Sequence, residues 1–264
     1  LERYGGTHCG GDGCSMSGFS ADWLALRAGA DDRARNAALH AAFLDALPPS
    51  PRLLDLGSGT GSTARALAVP GAAWTLVDND PALLTEAQAA LPDAQVVEAD
   101  LAADLDTIMA RETDAITASA LFDLVSEDWI ARFARAAGGR IVYAALTYDG
   151  TESWSPEHPT DLAVARAFDR HQRGDKGFGP AAGPRGAAVL AQALEAEGYA
   201  VTLAPSPWRL ERARDGALMD ALATGIAGAA AEAGCDAAQA EAWREARLAA
   251  TRCTTGHLDL LAIR

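Results

Sequence analysis

The sequence predicts an α/β fold, a three-layer sandwich in which helices cover both faces of a mostly parallel, seven-stranded sheet. Three observations carry this expectation. From residue 52 onward, short apolar runs of strand length alternate with segments of helical period, the pattern of parallel strands joined by crossover helices. The first apolar run stops in a turn that holds three glycines, Gly57, Gly59 and Gly61. The second ends on an acid, Asp78, twenty-one residues beyond Gly57. In open parallel sheets such turns lie at the carboxyl ends of the strands, where ligands bind.

Taken in order, residues 1–15 are glycine-rich and aperiodic and are expected to form a disordered extension, with a single domain over residues 16–264. Apolar residues recur at helical spacing from Phe19 to Leu47. Gly29 and the pair Asp31-Asp32 suggest a break into two helices, and Pro48-Pro49 ends the second. Strands are expected at 52–56, 73–77, 95–98, 114–120 and 140–146, with helices at 62–68, 81–91 and 127–137 between them. Pro81 suits a first helical turn and Ser126 an N-cap. Residues 147–183 break the rhythm with Trp, His, Pro and Gly around one helical segment at 162–171. They are too long for an ordinary connection and are expected to form a lid. A helix at 186–197, a strand at 200–203, two Ala-rich helices at 215–231 and 237–250 and a strand at 257–263 complete the chain.

Composition narrows the function. The 264 residues carry a formal charge of −14, with acids spread along the chain. Such a surface repels phosphate backbones and anionic membranes, so neither nucleic acid nor a membrane is expected as a partner. Four cysteines, Cys9, Cys14, Cys235 and Cys253, form no tight pair, so no disulfide framework and no zinc cluster is expected. No apolar stretch approaches the roughly 20 residues of a membrane helix, and a cytoplasmic location is the default expectation. The oligomeric state is not legible.

The strongest motif is Leu53-Leu54-Asp55-Leu56-Gly57-Ser58-Gly59-Thr60-Gly61. Glycines let the backbone lie close to a nucleotide-like ligand, and an acid at the distance of Asp78 suits a ribose diol. The glycines run GxGxG, with Ser62 where a dinucleotide fingerprint places its third glycine. Asp55 stands two residues before the first. A pyrophosphate has little use for that carboxylate, whereas a ligand with a sulfonium and an amino group does.

Here the chain resembles the class I S-adenosylmethionine (SAM)-dependent methyltransferases, in detail over residues 50–146, with a Rossmann-like sheet whose last strand enters antiparallel. The resemblance implies that Gly57, Ser58, Gly59 and Gly61 line the methionine end of SAM, with Asp55 near its amino group. It implies that Asp78 grips the ribose hydroxyls and that Asn79 lies beside the adenine. Asp100 would accept from the adenine amino group, Leu101 would offer its backbone N–H, and Ser119 would lie near the methyl donor. Of three arginines in the N-terminal helices, Arg27, Arg33 and Arg35, the choice for the SAM carboxylate is Arg27.

The implied activity is methyl transfer to an O or N atom of a small-molecule acceptor. Within the lid, His171 and Asp175 are the expected acceptor base, with Trp154 and Phe178 as pocket walls. Asp123 and Trp129 are further acceptor-facing residues, and a divalent metal shared by Asp123 and Asp149 stays open although no metal site is expected. Two other readings remain. A nicotinamide oxidoreductase is disfavoured by the glycine pattern and by the lack of a Tyr-x-x-x-Lys pair. A SAM-binding protein without catalysis is the other.

Overall fold

A computed structural model describes residues 19–264; the expected extension at 1–15, with Cys9 and Cys14, lies outside them. Two helices, α1 (Ala21–Ala34) and α2 (Ala37–Ala46), precede the sheet. The break falls at Arg35-Asn36 and not at Gly29 or Asp31. Asp31 is held inside α1 by Arg27 one turn earlier, at 2.8 Å, and by the Trp208 indole N–H at 3.0 Å. Asn36 starts α2 by accepting from the amides of Ala38 and Leu39, and its own N–H donates to the buried Asp259 at 2.8 Å.

The alternation then runs β1 (Arg52–Leu56), α3 (Ser62–Leu67), β2 (Ala73–Asp78), α4 (Pro81–Ala90), β3 (Gln95–Glu98), α5 (Leu105–Met109), β4 (Ala115–Ser119), α6 (Glu127–Ala137) and β5 (Ile141–Ser155). After it come α7 (Asp161–Gln172), α8 (Gly186–Ala196), β6 (Ala200–Pro205), β7 (Trp208–Glu211), α9 (Arg212–Glu232), α10 (Ala237–Leu248) and β8 (Arg252–Ile263). The strand order is β3-β2-β1-β4-β5-β8-β6, with β7 paired to β8 outside this path. Strands β1 to β5 are mutually parallel where they pair, and β8 is antiparallel to β5, β6 and β7. The antiparallel last strand is as expected. The sheet has eight strands and not seven, because Trp208–Glu211 forms a short strand with alternate residues buried.

Two departures shape the site. β5 does not stop at 146 but continues to Ser155, and β8 begins at Arg252. Together they form a ribbon that leaves the sheet, with register shifts between Ala144 and Thr147 and between Tyr148 and Glu152. The cap also draws on more chain than 147–183. A separate core joins Tyr148, Trp154, Phe168, Trp208, Met219 and Trp243, and so unites the ribbon, α7, β7, α9 and α10. Two further cores cover the faces of the sheet. One is centred on Phe122, Trp129 and Phe133, and the other on Phe43, Leu53 and Tyr143. Each fully buried side chain of this size contributes about 1.5–3 kcal/mol through removal from water.

Candidate functional site: the donor loop and the cavity beside it

The glycine turn is built from left-handed backbone. Gly57, Gly59 and Gly61 have φ of 64°, 52° and 75°, values that side chains disfavour. Ser58 N–H donates to the Val77 carbonyl at 3.0 Å, which ties the turn to β2. A Cβ on Gly59 would meet Leu24 of α1 at 3.0 Å, so the first helix lies directly over the loop.

Around this turn the charges are arranged without being neutralised. Asp55 is fully buried; one oxygen accepts from the Thr117 hydroxyl at 2.6 Å and the other has no partner. Burial pushes its carboxyl up to about 7, opposed by that hydroxyl and by the nearby Arg35 guanidinium. Arg35 reaches the Ser119 hydroxyl at 3.5 Å, while its Nε and Nη1 are buried without partners. The Ser58 hydroxyl is likewise buried and unpartnered. Asp78 turns one oxygen to the Gly59 N–H at 2.8 Å and the other to the Asp80 N–H at 3.0 Å, and burial raises its carboxyl despite these amides. Asn79 and Asp100 are exposed at the ends of β2 and β3, and Asp100 accepts from the Ala102 N–H at 2.8 Å. Leu101 is buried, and its carbonyl accepts from the Trp129 indole at 2.7 Å.

A carboxylate and a guanidinium, each with an unpartnered atom at one end of the turn, fit a ligand that carries an ammonium and a carboxylate. SAM carries both on its methionine part. Arg27, the choice from sequence, stands farther along: it pairs with Asp31, and its guanidinium lies 5.1 Å from the Trp208 ring centre. Arg33 pairs with Asp215 at 2.6 Å. Arg35 is therefore the N-terminal arginine at the donor turn.

Beside the turn a cavity of about 60 Å³ opens to solvent. Its floor is the loop after β4, with Ala120, Asp123 and Leu124; Leu121 of the same loop is the neighbour that a Cβ on Gly57 would meet, at 3.6 Å. The ribbon supplies Leu146, Tyr148 and Glu152 from β5 and Thr255 and His257 from β8. Trp23 and Arg27 come from α1, Phe168 from α7, Trp208 from β7 and Leu222 from α9. Ala120 and Leu146, at its base, both have left-handed backbone, with φ of 51° and 55°.

His171 and Asp175 do not line this cavity. The His171 ring sits 3.3 Å from the Glu232 carboxylate and 3.5 Å from the Lys176 ammonium, and Asp175 accepts from the amides of Gly177 and Gly179. Trp154 packs edge-on against Trp243 in the cap core, and Phe178 against Trp129. Asp123 does face the cavity, whereas Asp149 closes a turn with Thr151. No cluster of three or more metal-ligating side chains occurs among the described residues. Glu152 and His257 were not anticipated. Both lie on the ribbon, beyond the point where the bulges break the two-residue period that would have marked them as facing one side.

Fold and site define a class, and comparison with known proteins agrees. Residues 53–138 match the family described as Methyltransferase domain. That stretch, about a third of the chain, is thus similar to methyltransferase domains, and the fold and the donor turn agree with those of the class I SAM-dependent methyltransferases. A trans-aconitate 2-methyltransferase from Klebsiella pneumoniae (strain 342) is 31% identical over 134 residues, 48% of this chain and 49% of that protein. The chain thus spans about half the length of the curated relative it matches. A solved structure of a cyclopropane-fatty-acyl-phospholipid synthase-like protein from Lactobacillus casei ATCC 334 superimposes with a TM-score of 0.50 at 17% identity. It covers 93% of this chain and 94% of that one, and speaks for the fold. No described helix is long and apolar enough to cross a membrane.

Proposed function

We propose that this chain transfers a methyl group from SAM to an O or N atom of a small molecule held in the cavity beside the glycine turn. The observation that carries the reading is the shared loop after β4, which packs on Gly57 and floors the cavity. It supports the reading because a donor in the turn and an acceptor in the cavity would lie on either side of one short segment, and alignment of this kind provides much of the rate in a displacement reaction.

When bound, SAM supplies an electrophilic methyl carbon on a cationic sulfur. The chain's residues do the rest. Gly57, Ser58, Gly59 and Gly61 shape the cradle, the free Asp55 oxygen receives the amino group, and Arg35 receives the carboxylate. Asp78 takes the ribose diol, while Asn79, Asp100 and the Leu101 N–H edge the adenine. Ser119 lies near the methyl group. His171 and Asp175 hold the cap segment in shape, so their Ala variants are expected to keep most turnover; a hundredfold loss would restore them as acceptor bases.

The relative named for trans-aconitate suggests a carboxylate acceptor. Against this, Arg27 is the cation of the cavity wall among the described residues, and Asp31 already engages it.

Calorimetric titration with SAM and S-adenosylhomocysteine tests the donor half. Loss of two charge-assisted hydrogen bonds in Asp78→Ala is expected to weaken binding about 100-fold. No binding by the folded wild-type protein would refute the assignment. Labelled methyl transfer to metabolite extracts tests the acceptor half.

A further inference from the structure

The cavity wall has a chemistry of its own. Asp123 is 7% exposed, and its Oδ1 has no partner; His257 is 6% exposed, and its Nδ1 has none. Glu152 lines the same space from the ribbon and accepts from the Trp154 indole. Rings of Tyr148, Phe168, Trp208 and Trp23 enclose these groups, with the His257 ring 5.0 Å from that of Trp208. Resting on the methyl-transfer reading above, we propose that the acceptor is a primary or secondary amine on an apolar, ring-bearing body. It sits as its ammonium between Asp123 and Glu152, and Asp123 takes the proton that frees the nitrogen lone pair.

The charges, rings and proton affinities of this wall favour an amine. Asp123 is buried and Glu152 half-buried, so their charges call for a cation or protons, and Arg27, which acts on Asp123 only at range, is engaged by Asp31. Aromatic faces favour an ammonium and an apolar body together. Burial pushes Asp123 up to about 6 and Glu152 up to about 7, near the pH at which a base must both hold and release a proton. His257, held down to about 3 by burial and by Arg27, stays neutral; it orients the acceptor and is too weak a base to serve instead. Asp123 stands on the loop that touches Gly57, so it is the acid nearer the donor.

In the step itself the amine nitrogen gives its lone pair to the methyl carbon as the C–S bond breaks. That bond's electron pair stays on sulfur, leaving S-adenosylhomocysteine, and the displaced N–H proton rests on Asp123.

The test is calorimetry on protein saturated with S-adenosylhomocysteine, using 2-phenylethylamine, 2-phenylethanol and phenylacetate as matched probes. The amine is expected to bind at least about tenfold tighter than the other two. Its affinity should rise from pH 5.5 to 8, because Asp123 and Glu152 ionise over that range. The groups that face these two carboxyls are Arg27 and His257, with Asp161 and Arg247 behind Glu152, and His257 stays neutral throughout. Asp123→Asn and Glu152→Gln should each remove most of the preference while leaving S-adenosylhomocysteine affinity within about twofold, which also shows that the variants are folded. Preference for phenylacetate, equal binding of the three, or no probe binding to a protein that holds S-adenosylhomocysteine would overturn the amine assignment alone. Failure to hold S-adenosylhomocysteine would overturn the reading beneath it.

Discussion

Asp55 shows how a binding residue can oppose the stability of its own fold. Its carboxyl sits at about 7 in the folded protein against an ordinary value near 4, so between those pH values the folded state holds a proton that the unfolded chain releases. Its contribution therefore weakens as pH rises from about 4 to about 7 and is constant above. Asp55→Asn removes this loss: the variant's Tm is expected to gain on the wild type over that interval and to keep the gain at higher pH. The same variant should bind SAM poorly at every pH, since an amide does not pair with an ammonium. Equal pH slopes in the two melting series would refute the account. His257 acts in the opposite sense. Lowered to about 3, it costs stability as pH falls from about 6.5 toward 3, so the two groups draw the optimum toward the middle of the acid range.

At the level of elements, helix α8 sets the acceptor floor. Its first residue, Gly186, lies so close to the loop after β4 that a Cβ would stand 2.4 Å from the Phe122 carbonyl oxygen and 2.9 Å from the Asp123 nitrogen. Backbone cannot yield as a side chain tip does. Gly186→Ala is expected to cost about 1–3 kcal/mol and, by shifting Asp123, to weaken acceptor binding more than SAM binding. Denaturant melts and parallel titrations would check both.

The elements of the parallel half were legible because each strand is short, apolar and punctuated, as at Gly57 and Asp78. Trp208–Glu211 was not: four residues behind Pro205-Ser206-Pro207 carry too short an alternation. The donor residues were legible because the backbone itself makes the cradle. The acceptor residues were not, because Asp123, Glu152 and His257 come from three separate elements and meet only through the ribbon. Arg35 fell between the two: it sits at the helix break, which the Asp31-Asp32 pair misplaced.

At the scale of the molecule, the cap is held by a buried charge. Arg247, 1% exposed, pairs with Asp161 at 2.8 Å, donates to the Pro156 carbonyl at 2.6 Å and lies against the rings of Trp154 and Trp243. Asp161 starts α7 and also accepts from the Trp243 indole at 2.7 Å, so α7, α10 and the end of β5 meet there. Asp161→Ala leaves the guanidinium buried without its partner, at an expected cost of about 3 kcal/mol. Hydrogen exchange should then quicken in α7 and α10 while β1 to β4 stay protected; uniform loss of protection would mean that cap and sheet unfold as one.

The placement of β8 between β5 and β6 has a consequence for how the protein comes into being. A chain emerging from the ribosome presents β5 and β6 long before residues 252–263, and until these arrive the two strands have no partner across the gap. Asp259, which receives the amides of Asn36 and Leu146, arrives with them. The junction of α1 and α2 thus waits on a carboxylate made 223 residues later, and the nascent sheet stays open beyond β5 until synthesis has passed it.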